Sequence, residues 1–187
     1  MKRHRGVNRW IFRMIRCENG VAGIEMAIIL PLLLIIYMGT YQITILYSTS
    51  KRMTRIASSI GDFVAQEVSI NSTYLNNLKR FAESVMLPYK INDLSITVSG
   101  YWIDDKGVAT RQWLLSSNSH PSAVSKSSPP PSTIADKNTF VVCSEVFMKH
   151  PVDFFMTTPS VMIPLKSVYY YRQRLGQKVV CIGRDCN

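Results

Sequence analysis

One carboxylate, Glu25, stands at the mouth of an apolar run in this 187-residue chain. No side chain from Met26 to Tyr47 is charged. At ~1.5 Å per residue, those 22 positions form a helix of ~33 Å, enough to cross a hydrocarbon core of ~30 Å. An ionisable group at the edge of such a helix costs about 2.5 to 3.5 kcal/mol on insertion scales and calls for a positive partner. The chemistry Glu25 offers is ion pairing in a low-dielectric setting. The simpler reading is a carboxylate resting among lipid headgroups.

Residues for other chemistries are scattered. There is no Gly-x4-Gly-Lys-[Ser/Thr] phosphate loop and no His-Glu-x2-His metal helix. The three histidines, His4, His120 and His150, lie far apart in sequence. Asp104-Asp105 precede Lys106-Gly107, the composition of a turn rather than of an acid/base pair. Neither a catalytic site nor a cofactor or metal is expected. Tyr169-Tyr-Tyr-Arg-Gln-Arg174 has the aromatic and basic residues to stack on single-stranded nucleic acid, but tyrosines alternating on an outer strand explain it equally well. Nucleic acid is therefore not the expected partner.

Four cysteines are present. Cys17 precedes the apolar run, and Cys143, Cys181 and Cys186 follow it. Cys181 and Cys186 would close a short loop through Gly183. Pairing either with Cys143 would close about 40 residues and stabilise more in the chain-entropy model. All three pairings stay open. Cys-x4-Cys with one distant cysteine lacks the ligand pairs of a structural zinc site.

The order of residues around Glu25 is more specific than its charge. A basic stretch leads to Gly20, Glu25 follows five positions later, and Leu30-Pro31-Leu32-Leu33 lies inside the apolar run. That order resembles a class 3 prepilin signal. More narrowly, Glu18-Asn-Gly-Val-Ala-Gly-Ile-Glu-Met-Ala-Ile-Ile-Leu-Pro-Leu-Leu-Leu is similar to the N-terminus of the TadE/TadF minor pseudopilins of the tight-adherence (Tad, or Flp) pilus. The resemblance covers residues 13 to 60. It implies cleavage by a prepilin peptidase between Gly20 and Val21, and a role for Glu25 and Pro31 in assembly and register. It further implies an inner-membrane subunit whose partners are other pilins and the pilus assembly platform.

Charge fits that orientation. Of the net +10, the first 20 residues carry +5, from Lys2, Arg3, Arg5, Arg9, Arg13 and Arg16 against Glu18. Basic residues flanking a span stay cytoplasmic. Lys51, Arg52 and Arg55 on the far side weaken the bias without reversing it. The expected topology is a cytoplasmic N-terminus and a periplasmic C-terminal part. A secretory signal peptide has a shorter apolar region and a small-residue cleavage site, whereas here Tyr47-Ser-Thr-Ser-Lys-Arg follows. The Arg-rich, nearly acid-free start also fits a mitochondrial transit peptide.

These residues have to be positioned by a membrane anchor and one small domain. Residues 1–20 read as a basic leader, with Trp10, Ile11, Phe12, Met14 and Ile15 available for a short amphipathic turn. Residues 21–50 read as a transmembrane helix bent at Pro31, and 51–187 as an extracytoplasmic head. Met53, Ile56, Ala57, Ile60, Phe63, Val64 and Val68 recur at helical spacing, so the helix should continue from the membrane to Val68. A second helix starts at Asn71-Ser-Thr-Tyr, capped by Ser72 or Thr73, and stops before Pro88. Leu94–Ile103 and Val108–Leu115 alternate with period two about the turn Asp104–Gly107, which predicts a hairpin. Residues 116–133, rich in Ser and Pro, read as a disordered loop, with a Pro-rich docking segment as the sharper alternative. Strand-like runs cover Thr139–Met148 and Val161–Arg172, with Pro151 and Pro159 as breakers between them. The expected class is α+β: a long N-terminal transmembrane helix continuing into a pilin-like head with a mostly antiparallel four-stranded sheet. Two functions compete, both non-enzymatic. One is a cleaved minor pseudopilin contributing to pilus biogenesis, adhesion or secretion. The other is an uncleaved, single-pass, membrane-anchored binding module of the cell envelope.

Overall fold

A computed structural model of the chain describes residues 21–89, 93–117, 128–134, 136–152, 161–183 and 186. The leader with Cys17 and Gly20, and also His120 and Pro159, lie outside the described residues. Helix α1 runs from Val21 to Gln66 with Pro31 inside it. Strand β1 (Ser69–Ile70) and helix α2 (Ser72–Met86) follow. The strands β2 (Ser95–Ile103), β3 (Ala109–Ser116), β4 (Thr139–Val152), β5 (Val161–Arg172) and β6 (Val180–Cys181) complete the order. The architecture is α+β, with one long apolar N-terminal helix and a four-stranded antiparallel sheet. The chain divides into two compact units, residues 1–44 and 45–187. The second begins six residues before the head boundary read from charge.

In the first unit the apolar side chains of α1 are exposed from Ile24 to Tyr41. Thr40 donates to Ile36 O and Thr44 to Thr40 O, both at 2.8 Å, so these two hydroxyls are satisfied by their own helix. Pro31 has no N–H for the carbonyl of Ala27, the local deficit that permits a bend.

In the second unit the sheet order is β3-β2-β4-β5, every neighbour antiparallel, while β1 and β6 form a separate parallel pair. One face of the sheet packs on α1. Ile96 and Val98 from β2, Leu115 from β3 and Val142, Val146 and Met148 from β4 meet Met53, Ile56, Ala57, Ile60 and Val64, all essentially inaccessible. Apolar burial at roughly 25 cal/mol per Å² makes this interface the main source of stability. Gly61 lets the helix and the sheet approach, and Gly100 leaves room for rings from the two strands beside it. A Cβ on Gly100 would stand 2.5 Å from ring atoms of both Trp113 and Phe140, and one on Gly61 2.6 Å from Tyr171. Polar ties set the depth: Ser144 Oγ donates to Ala57 O at 2.6 Å, and Ser58 Oγ and Tyr171 Oη lie 2.8 Å apart.

Several local expectations change. Helix α1 stops at Gln66, so Val68 falls outside it and is exposed, whereas Phe63 leaves the buried stripe to meet Phe81 edge-on, with ring centroids 5.6 Å apart. The cap of α2 is Asn71, whose side chain accepts from Tyr74 N–H at 2.8 Å, rather than Ser72 or Thr73. Pro151 is no breaker. It lies in β4 opposite Met162, beyond Phe147, the last β4 residue that pairs with β2. One side of the β4 backbone is open there, so a missing N–H is tolerated.

Candidate functional site

Glu25 lies in the second turn of α1 with its side chain exposed, surrounded along the helix by Ile24, Met26, Ile28 and Ile29, all exposed. Val21 opens the helix as its first residue. The helix is long and apolar enough to cross a membrane, and none of its most apolar stretch is buried among the described residues. A soluble protein rarely exposes contiguous apolar surface on this scale, and Glu25 sits within that surface rather than at a water-facing tip. An amine or another cation brought alongside would find the carboxylate accessible.

The three cysteines among the described residues resolve into one pair and one free thiol. Cys181 and Cys186 are joined, and Cys143 is buried in β4. The bond closes the short loop, and Cys181 is held in β6 beside β1. Cys143 points to the sheet face away from α1. Its register partners are Ser99 on β2 and Tyr170 on β5, with Glu145 two residues along the strand. Burial, reinforced by the Glu145 carboxylate, pushes the Cys143 thiol up to about 12. Tyr170 is likewise raised to about 12 by burial and by Cys143, Glu145 and Tyr101.

This polar face is closed by a piece of the segment read as a disordered loop. Ser128 N–H donates to Glu145 Oε1 at 2.7 Å, and Tyr170 Oη donates to Ser128 O and Pro129 O at 3.3 and 3.2 Å. Lys166 Nζ lies 3.3 Å from Glu145 Oε2 and 3.4 Å from Ser128 Oγ. Pro130 is buried. The end of the Pro-rich run therefore docks on the sheet, and its other residues from 118 to 127 lie outside the described residues. The sequence signal was present in Pro129-Pro130-Pro131, whose restricted backbone loses little entropy on docking. Glu145, the acid that receives the segment, carried no signal of its own in a strand of alternating apolar residues.

The aromatic-basic segment is used internally. Tyr169 and Tyr171 face α1, Tyr170 faces the docked segment, Arg172 pairs with Asp136 at 2.5 Å and Arg174 with Asp62 at 3.0 Å. Among the described residues no group of three or more His, Cys, Asp or Glu side chains converges as a metal site, and His150 is buried in β4. An open groove of about 440 Å³ lies between Trp102, Phe140, Arg172, Gln173 and Gln177. Comparison with protein-family models, curated proteins and solved structures finds no match.

Proposed function

We propose that this chain is a minor pseudopilin of a Tad/Flp-type pilus, cut after Gly20 by a prepilin peptidase and held in the bacterial inner membrane by α1, with its head in the periplasm. The observation that carries the reading is Glu25: a lone exposed carboxylate five residues after Gly20, at the start of an exposed apolar helix that runs without interruption into an α+β head. Cleavage would leave Val21 with a free ammonium group. That amine, on the same chain or on a neighbouring pilin, supplies the cation Glu25 lacks, and the pair sets the depth and register of one helix against the next. Burying such a pair offsets its desolvation only with good geometry, so its role is specificity of assembly rather than stability of the monomer. The Cys181–Cys186 bond suits an oxidising periplasm. The head contributes a surface for other pilins and the assembly platform, not a catalytic centre.

The test separates insertion from assembly. Glu25→Ala removes a charge from an apolar helix, so it should insert at least as well as the parent and still be cut at Gly20, yet lose crosslinks to other pilins. Glu25→Lys should assemble still less, because like charges would meet in a low-dielectric layer. Parent levels of crosslinking and surface pili in Glu25→Ala would refute the mechanism and leave Glu25 as an interfacial charge.

A further inference from the structure

The groove beside Trp102 is built on one rung of the sheet. Trp102 on β2 pairs with Phe140 on β4, and Phe140 O accepts the Gln173 N–H at 3.1 Å just past the end of β5. Both rings join the core that packs on α1. Phe140 is only 3% exposed and forms the floor, whereas Trp102 is half-buried and borders the groove. The opposite wall is the chain from Gln173 to Val179, tied at both ends. Arg174 N–H donates to Ala65 O at 3.1 Å at one end, and Trp113 Nε1 donates to Val179 O at 2.8 Å at the other. Between the ties the chain turns at Gly176, whose φ of +83° favours glycine. The wall is therefore in place before any ligand arrives. Small-molecule sites are usually such pre-formed clefts, of roughly 300 to 1,000 Å³, and this one holds about 440 Å³.

Its polar lining consists of amides and a compensated charge. Gln177 is exposed on the wall. Gln173 Nε2 donates to Leu175 O, but its Oε1 is enclosed without a hydrogen-bond partner. Proteins seldom leave an enclosed acceptor unpaired, and turning this amide into the groove would give the oxygen a ligand donor. Arg172 pairs with Asp136 at 2.5 Å, both side chains more than half exposed, so the groove does not call for an anion. A guanidinium has five N–H donors, more than one carboxylate takes up. The matching ligand is neutral, apolar on one face and rich in hydroxyls at its edges. A sugar ring has that form: its C–H face lies on the indole, and its hydroxyls exchange hydrogen bonds with the amides and the Arg172–Asp136 pair. A nucleobase is flat as well, but with Phe140 buried it would stack on Trp102 alone and leave much of the polar wall unused.

We propose that this groove binds a neutral saccharide, held by Trp102, Gln173, Gln177 and Arg172. The site goes beyond the pilin reading and does not depend on it. It gives the head a glycan-recognising surface apart from α1.

The test uses the full chain in phosphatidylcholine nanodiscs, labelled with 5-fluorotryptophan. Its three tryptophans, Trp10, Trp102 and Trp113, then report separately by fluorine resonance, with Trp102 assigned by its loss in Trp102→Phe. Chitotriose, maltotriose and cellotriose are titrated as saccharide probes, and adenosine as the flat aromatic one. At least one trisaccharide should move the Trp102 resonance to saturation while that of Trp10 stays. Gln177→Ala replaces an exposed side chain outside the core, so the circular dichroism spectrum should match the parent's. Its affinity for that trisaccharide should fall about two- to tenfold, the worth of one net hydrogen bond. A Trp102 resonance unmoved by all three sugars, an unchanged affinity in Gln177→Ala, or movement with adenosine alone overturns the saccharide site. Because the signal is read at residue 102, failure of cleavage or of pilus assembly leaves this result untouched, and the two readings fail separately.

Discussion

At the scale of single residues, the groups that matter most are those whose charge state is constrained by what surrounds them. Cys143 and Tyr170 both stay protonated in the fold because burial and the Glu145 carboxylate oppose a second negative charge beside it. In the unfolded chain the thiol ionises near 9 and the phenol near 10. Above those values the unfolded state releases protons that the native state still holds. Stability is therefore full below about pH 9 and falls as pH rises toward about 12. Denaturant midpoints measured from pH 7 to 11 should decline, and Cys143→Ala should flatten that decline. The thiol should also resist alkylation until the protein unfolds. Rapid labelling at pH 8 of the native protein would show that Cys143 is not sealed. None of this was legible beforehand: a lone cysteine in a strand reads as a pairing candidate until the register sets it against Ser99 and Tyr170.

At the scale of elements, periodicity revealed what packs and missed what docks. The 3.6-residue recurrence of Met53, Ile56, Ala57, Ile60 and Val64 and the alternation in β2 are direct consequences of burying one face, so they could be read without a structure. The cap at Asn71 and the continuation of β4 through Pro151 depend on which backbone groups happen to lack partners, which no local pattern records. The Ser128–Pro131 segment is the sharpest case. Its composition predicts disorder because it buries little apolar surface, yet two hydrogen-bonding side chains on the sheet, Glu145 and Tyr170, hold it. Ser128→Pro deletes the N–H that Glu145 accepts from and leaves a buried carboxylate short of a donor. It should cost about 1 to 3 kcal/mol, seen as a fall in Tm of about 2 to 4 °C per kcal/mol. An unchanged Tm would mean that the segment rests on the sheet without stabilising it.

At the scale of the whole molecule, two units share one helix, and the head claims more of it than charge alone suggests. Lys51 looks like the boundary because it is the first charge after the apolar run, whereas the compact second unit begins at Ile45 and already buries Thr49. A chain beginning at Ile45 should unfold cooperatively in denaturant, and one beginning at Lys51 should be measurably less stable. Equal midpoints would return the boundary to the charge. The central claim concerns the other end of that helix: this chain is a pilin-type subunit made by a cut after Gly20, rather than a stationary anchor that keeps its basic leader. The mass and N-terminal sequence of the chain recovered from the membrane fraction test it most directly. The account predicts a mature chain beginning at Val21, and an uncut precursor from Gly20→Val, since the peptidase needs the unhindered backbone that glycine supplies. Recovery of the parent chain with residues 1–20 still attached would contradict it.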